Sequence, residues 1–305
     1  MPTDTVKRIL ANYESDNPGS KANLARILMQ GRLGGTGRML ILPVDQGFEH
    51  GPARSFAGNP PAYDPHYLYQ LAIDAGLNAL AAPLGLLETG ADTFAGDIPL
   101  ILKANSSNSL ATEKDQAITA TVDDALRIGC AAVGYTIYPA SEHQFEMMEE
   151  VRAAAEEARA KGLAVVVWSY PRGGILSKEG ETAIDVVAYG AHMAALLGAH
   201  IIKVKIPTDH LEQPEAKAAY EAANVDISTA TARIRHIVQC AFNGKRLMIF
   251  SGGAEKGEDA LYNDIRAIRD GGGNGSIIGR NSFQRSRDDA LAMLGEIIKI
   301  YLDQD

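Results

Sequence analysis

Apolar residues along this chain follow two rhythms. Eight short runs are almost continuously apolar: "RMLILPVD" (38–45), "NALAAPLG" (78–85), "PLILKAN" (99–105), "CAAVGYTIY" (130–138), "AVVVWSY" (164–170), "AHIIKVKIP" (199–207), "KRLMIFSGG" (245–253) and "GSIIGRN" (275–281). Runs of this length without alternation predict parallel strands covered on both faces. Between them the spacing turns helical. In "DPHYLYQLAIDAG", Asp64 stands before Pro65 and Gly76 lies just past the end, the order of cap, first turn and stop. "EHQFEMMEEVRAAAEEARAKG" is built from strong helix formers and stops at Gly162. The stretches 182–198, 226–243, 257–270 and 284–302 read the same way. The connection after the second run is short, and its helix is the least marked.

Eight strands alternating with helices predict an α/β fold, a (β/α)8 TIM barrel. A doubly wound open sheet would carry a Gly-x-Gly-x-x-Gly turn after its first strand, and that turn is missing. Residues 1–37 hold two helical patterns, "TVKRILANY" and "KANLARILMQ". They read as an N-terminal helical extension that closes the barrel bottom or meets a neighbouring subunit, with residues 38–305 forming the barrel domain. The stretch 208–228 is a long insertion after the sixth strand and a candidate lid.

Composition narrows the field. With 46% hydrophobic and 22% charged residues, the chain has ample core and no tendency to disorder. A net charge of −9 and a pI of 5.3 speak against nucleic acid or an anionic membrane as partner. An anionic ligand would then need a local basic pocket. The opening "MPTDTVKRIL" lacks the apolar core of a signal peptide, and the chain has no 18-residue apolar run, which points to the cytoplasm. Cys130 and Cys240 have neither a disulfide framework nor zinc spacing and read as inert buried thiols. His50 has no second histidine at metal-ligand spacing, so neither a metal nor another cofactor is expected.

In barrels of this kind the active site is built at the C-terminal ends of the strands. Those ends offer Asp45, Lys103 and Asn105, Tyr135 or Tyr138, Trp168 and Tyr170, Lys203 and Lys205, Ser251, and Arg280. The set is too polar for a packed interior, and its cations suit an anion. Lys203 and Lys205 are two apart in the sixth strand and so point the same way. Desolvation and a second ammonium both favour the neutral amine, freeing it to attack a carbonyl; alternatively both lysines are salt-bridged or hold phosphate. Tyr170, beside cations, should have its phenolate favoured, which suits proton transfer, unless it is structural. Arg172 clamps a phosphate or lies on the surface. Asp45 shuttles a proton, holds an ammonium or caps its loop. "FSGG" (250–253) and "IGRN" (278–281) follow the seventh and eighth strands, where barrels bind phosphate. Their glycines let backbone N–H groups approach an anion, and Arg280 adds a fork of donors.

Taken together, "VDQGFEHGP", "LILKANSSNSL", "VGYTIYP", "VVWSYPRGG", "GAHIIKVKIP", "SGG" and "IGRN" resemble the archaeal-type class I fructose-bisphosphate aldolases over residues 38 to 301. The resemblance implies a metal-free barrel that forms a Schiff base with fructose 1,6-bisphosphate or dihydroxyacetone phosphate. It implies Lys203 as the Schiff-base lysine, Lys205 as its supporting lysine, Tyr170 as the proton carrier and base for the C4 hydroxyl, and Trp168 as the substrate-side neighbour. Asp45 falls on the acidic residue tied to substrate binding and proton transfer. Ser251, Gly252, Gly253, Gly279 and Arg280 fall on the phosphate cradle, with Arg172 or His50 meeting the other phosphate. Gln46 stands where a histidine is common. Relatives form ring-based assemblies, so a homo-oligomer is expected. Related Schiff-base barrels, a heptulosonate synthase and a thiolase, are the competing activities, and a silent sugar-phosphate sensor is the competing class.

Overall fold

The computed structural model describes residues 1–251 and 257–305. Among them, eight parallel strands close into one barrel in chain order: β1 (Met39–Pro43), β2 (Ala79–Pro83), β3 (Leu100–Lys103), β4 (Ala132–Ile137), β5 (Ala164–Ser169), β6 (Ile201–Val204), β7 (Leu247–Ser251) and β8 (Gly275–Ile277). β8 pairs back onto β1 through Met39 and Gly275. Each apolar run of the sequence therefore holds one strand. The strands are buried throughout except for Pro83 and Ser251, which are half-buried, because the inner faces pack on one another and the outer faces on the helices. The helix at 65–74 starts as its sequence says, with the Asp64 carboxylate accepting the His66 N–H at 2.9 Å.

Inside the barrel, Met39, Ile41, Ala79, Ala81, Ile101, Val166, Ile201 and Ile249 belong to one cluster that also takes in Val6, Leu24, Ile27 and Leu28. Those four come from α1 (Asp4–Ala11) and α2 (Pro18–Met29), which lie across the N-terminal ends of the strands. Polar bonds seat them there. Tyr13 donates to the carbonyl of His200 at 2.7 Å and stacks on its ring. The His200 imidazole stands 2.8 Å from the Asp16 carboxylate. Asn78 accepts the Leu40 N–H and donates to the carbonyls of Ile27 and Gln30.

At the opposite rim, the segment 208–228 carries the helix Pro214–Ala222, none of whose residues is buried. Its approach is tied down. The Asp185 carboxylate accepts the N–H groups of Glu212 and Gln213, both at 3.0 Å. Glu212 in turn accepts from the backbone and hydroxyl of Ser177, both at 2.8 Å. The loops after β5 and β6 are thus strapped to each other. Among the described residues, no helix is long and apolar enough to cross a membrane, and no group of three or more His, Cys, Asp or Glu side chains is placed to hold a metal ion.

Candidate active site

The inner faces of the strands change character as they rise. Two residues above Ile101 comes Lys103, two above Val166 comes Trp168, and two above Ile201 comes Lys203; period two keeps all of them pointing inward. Of these, Lys203 reaches a cavity of about 550 Å³ at the C-terminal rim, whose walls include Asp45, Gln46, Glu49, His50, Tyr170, Arg172, Lys205, Ser251, Gly279 and Arg280.

Lys203 is 6% exposed. Burial pushes its amine down to about 8, with Lys103 and Arg280 acting the same way against the carboxylates of Asp45 and Glu49. Its Nζ lies over the Tyr170 ring. Lys103 is fully buried, and burial depresses its proton affinity too. Its Nζ donates to the backbone carbonyl of Asn105 and, at 3.0 Å, to that residue's Oδ1. Asn105 is itself fixed on Thr136, accepting its N–H at 2.7 Å and donating to its carbonyl at 2.8 Å. Trp168 sits between the lysines: it is the register partner of Lys203, and the Lys103 ammonium stands 5.9 Å from its ring centroid. Gly134 makes room for it, since a Cβ there would come within 2.0 Å of the indole.

Other walls are polar and partly unsatisfied. Arg172 stacks on Tyr138 at 5.1 Å and on Tyr170 at 5.6 Å. The amide oxygen of Gln46 and the indole N–H of Trp168 find no partner among the described residues, and such orphaned groups are costly unless a ligand reaches them. Gly279 runs so close to β1 that a Cβ would strike the Pro43 carbonyl at 2.8 Å and the Gln46 amide at 2.9 Å, which fixes glycine there. Burial and the charges of Arg280 and Arg54 hold His50 below the usual imidazole range.

Four sequence expectations need correction or completion. β6 ends at Val204, so Lys205 is already past the strand and donates to Glu181 at 3.3 Å; the second buried ammonium near Lys203 is Lys103, from across the barrel. Tyr170 is pushed well above the usual phenol range, first by burial and then by Asp45 and Glu49, with Arg172 too weak to reverse them. Its phenol therefore keeps its proton. Trp168 is buried beneath the cavity rather than on its wall. Gly252 and Gly253 lie outside the described residues. Sequence reasoning also passed over Glu49, which a short helix, α3 (Gln46–His50), brings beside Asp45; its one sequence signal was its place in the loop-like "DQGFEHGP".

The chain matches a family model described as DeoC/LacD family aldolase over residues 39–285. It is 35% identical over 315 residues to a probable fructose-bisphosphate aldolase class 1 of Chlamydia muridarum, covering 98% of this chain and 89% of the relative. It is 36% identical to a fructose-bisphosphate aldolase class 1 of Thermoproteus tenax, over 82% and 84% of the two chains. Among solved structures it is similar to an archaeal fructose-1,6-bisphosphate aldolase whose catalytic Lys is covalently bound to the carbinolamine intermediate of the substrate, with 32% identity, a TM-score of 0.76 and coverage of 92% and 98%.

Proposed function

The chain belongs to the DeoC/LacD family of aldolases, and from that premise we propose that it is a class I fructose-bisphosphate aldolase, cleaving fructose 1,6-bisphosphate reversibly through a Schiff base on Lys203. One observation carries the assignment: at the floor of the cavity a dry lysine among cations has its amine brought down to about 8, so a usable fraction is neutral at physiological pH.

The neutral Lys203 amine attacks C2 to give a carbinolamine. Tyr170, which starts protonated, hands its proton to the departing hydroxyl, and the nitrogen lone pair closes the iminium as water leaves. This reverses the direction of transfer suggested by sequence, because burial and two carboxylates outweigh Arg172 at the phenol. The base for the next step is then Asp45, which lines the same wall. It takes the C4 hydroxyl proton, the C3–C4 bond breaks, and its electrons pass into the enamine. Glyceraldehyde 3-phosphate departs, Asp45 returns the proton to C3, and water releases dihydroxyacetone phosphate. Ser251, Gly279 and Arg280 hold one phosphate, and Arg172 with His50 or Lys205 meets the other. The Trp168 indole braces Lys203 from below.

Borohydride added with fructose 1,6-bisphosphate should leave a reduced adduct on the peptide carrying Lys203, and a chelator should leave turnover unchanged. An adduct confined to Lys205 or Lys103, or none at all, would overturn the assignment.

A further inference from the structure

The mechanism above leaves Glu49 without a task. Its backbone is anchored on both sides: its N–H donates to the Asp45 carbonyl at 3.1 Å, and its carbonyl accepts the Ser109 N–H at 2.8 Å. The side chain faces the cavity and is 20% exposed. Within 4 Å its one ion-pair contact among the described residues is the His50 imidazole, at 3.7 Å. It shares the cavity wall with Asp45, Tyr170, Arg172 and Lys203, and its field is also felt by Lys103 on β3 and Tyr138 beyond β4. A carboxylate surrounded by three cations and two phenols, yet bonded to none of them, is placed to exchange protons rather than to hold structure.

Resting on the aldolase reading, we propose that Glu49 is the proton carrier for Lys203: through one bridging water it takes the proton of the ammonium and so releases the attacking amine. The need is chemical. At pH 7 most Lys203 side chains still carry a proton, and an ammonium has no lone pair to give. Burial, then Asp45, lifts the Glu49 carboxyl to about 7, within about tenfold in acidity of Lys203, the match that makes transfer in both directions easy. The cycle closes without an outside acid. Lys203 gives its proton to Glu49, the amine bonds to C2, and Tyr170 protonates the departing hydroxyl. The phenolate left behind then takes the proton from Glu49. The ammonium proton thus ends on Tyr170, replacing the one that left in water, and Glu49 and Tyr170 return to their starting forms.

The test is the rate of borohydride-trappable adduct on Lys203 at pH 7, in a single turnover with fructose 1,6-bisphosphate. Glu49→Gln should slow it by about 10- to 100-fold, Glu49→Asp should retain part of the rate, and formate should restore Glu49→Ala while leaving the wild type unchanged. A carboxylate acting only through its field predicts the opposite sign, because removing it lowers the proton affinity of Lys203 and speeds trapping below pH 8. An adduct rate in Glu49→Gln equal to or above the wild type, or a Glu49→Ala protein deaf to formate, would overturn the proposal. A wild type that forms no adduct would instead count against the aldolase reading itself.

Discussion

The Nζ of Lys203 sits 5.2 Å from the centroid of the Tyr170 ring, so the proposed nucleophile and the proposed proton donor are held as one unit by a contact that does not involve the phenol oxygen. The pair can therefore be dissected. Tyr170→Phe keeps the ring and loses only the hydroxyl. Its turnover should fall by about 100- to 10,000-fold, and substrate should accumulate on Lys203 with its oxygen retained. Intact-mass analysis reads this directly as an adduct heavier by one water than the iminium.

The wild-type adduct rate should climb with pH and level off above about 8, where Lys203 is largely neutral. Lys103→Met removes a cation that opposes protonation of Lys203. The lysine should then hold its proton more tightly, and the rising limb should move to more alkaline pH by about one unit. A pH profile of trapping checks this, and an unmoved limb would show that Lys103 has no part in depressing the amine.

Glu49 also has a stability signature. Burial, then Asp45, lifts its carboxyl to about 7 in the folded chain against an ordinary 4.5, so between these values the folded state binds more protons than the unfolded one. Stability should therefore fall as pH rises through that window, with the deficit complete above 7. Glu49→Gln removes the deficit. It should be more stable than the wild type by up to about 3 kcal/mol at pH 8, and no more stable at pH 4. Urea melts at the two values measure the difference.

Gly134→Ala places a methyl where the Trp168 ring already lies. The indole cannot yield without pushing on Lys203, its partner across the strand pair. Overpacking should cost about 1–3 kcal/mol and, unlike a remote core change, should lower kcat as well. Denaturant titration and steady-state kinetics on the same preparation report both.

How much of this was legible in the sequence depends on what each feature needs. The strands were, because continuous apolar runs and their spacing suffice for a parallel barrel, and the place of Lys203 in the cavity followed because it lies near the end of one of them. Lys205 misled because period two holds only while the strand lasts, and β6 stops at Val204. Lys103 stood among the strand ends, yet its bearing on Lys203 arises from closure of the barrel, with two strands between them. For Tyr170 the sign of the shift is a sum over neighbours. Arg172 is two residues away in sequence, whereas of the carboxylates that outweigh it Glu49 arrives on α3, a helix of only five residues that no periodicity announces.

The helices packed across the strand entrances, seated by Tyr13 on His200, close that end among the described residues, and the reaction chamber opens at the C-terminal rim. On the proposed mechanism hexose, trioses and the hydrolytic water pass through that rim. One triose stays tethered to Lys203 after cleavage, so the free aldehyde is the first product to leave by it.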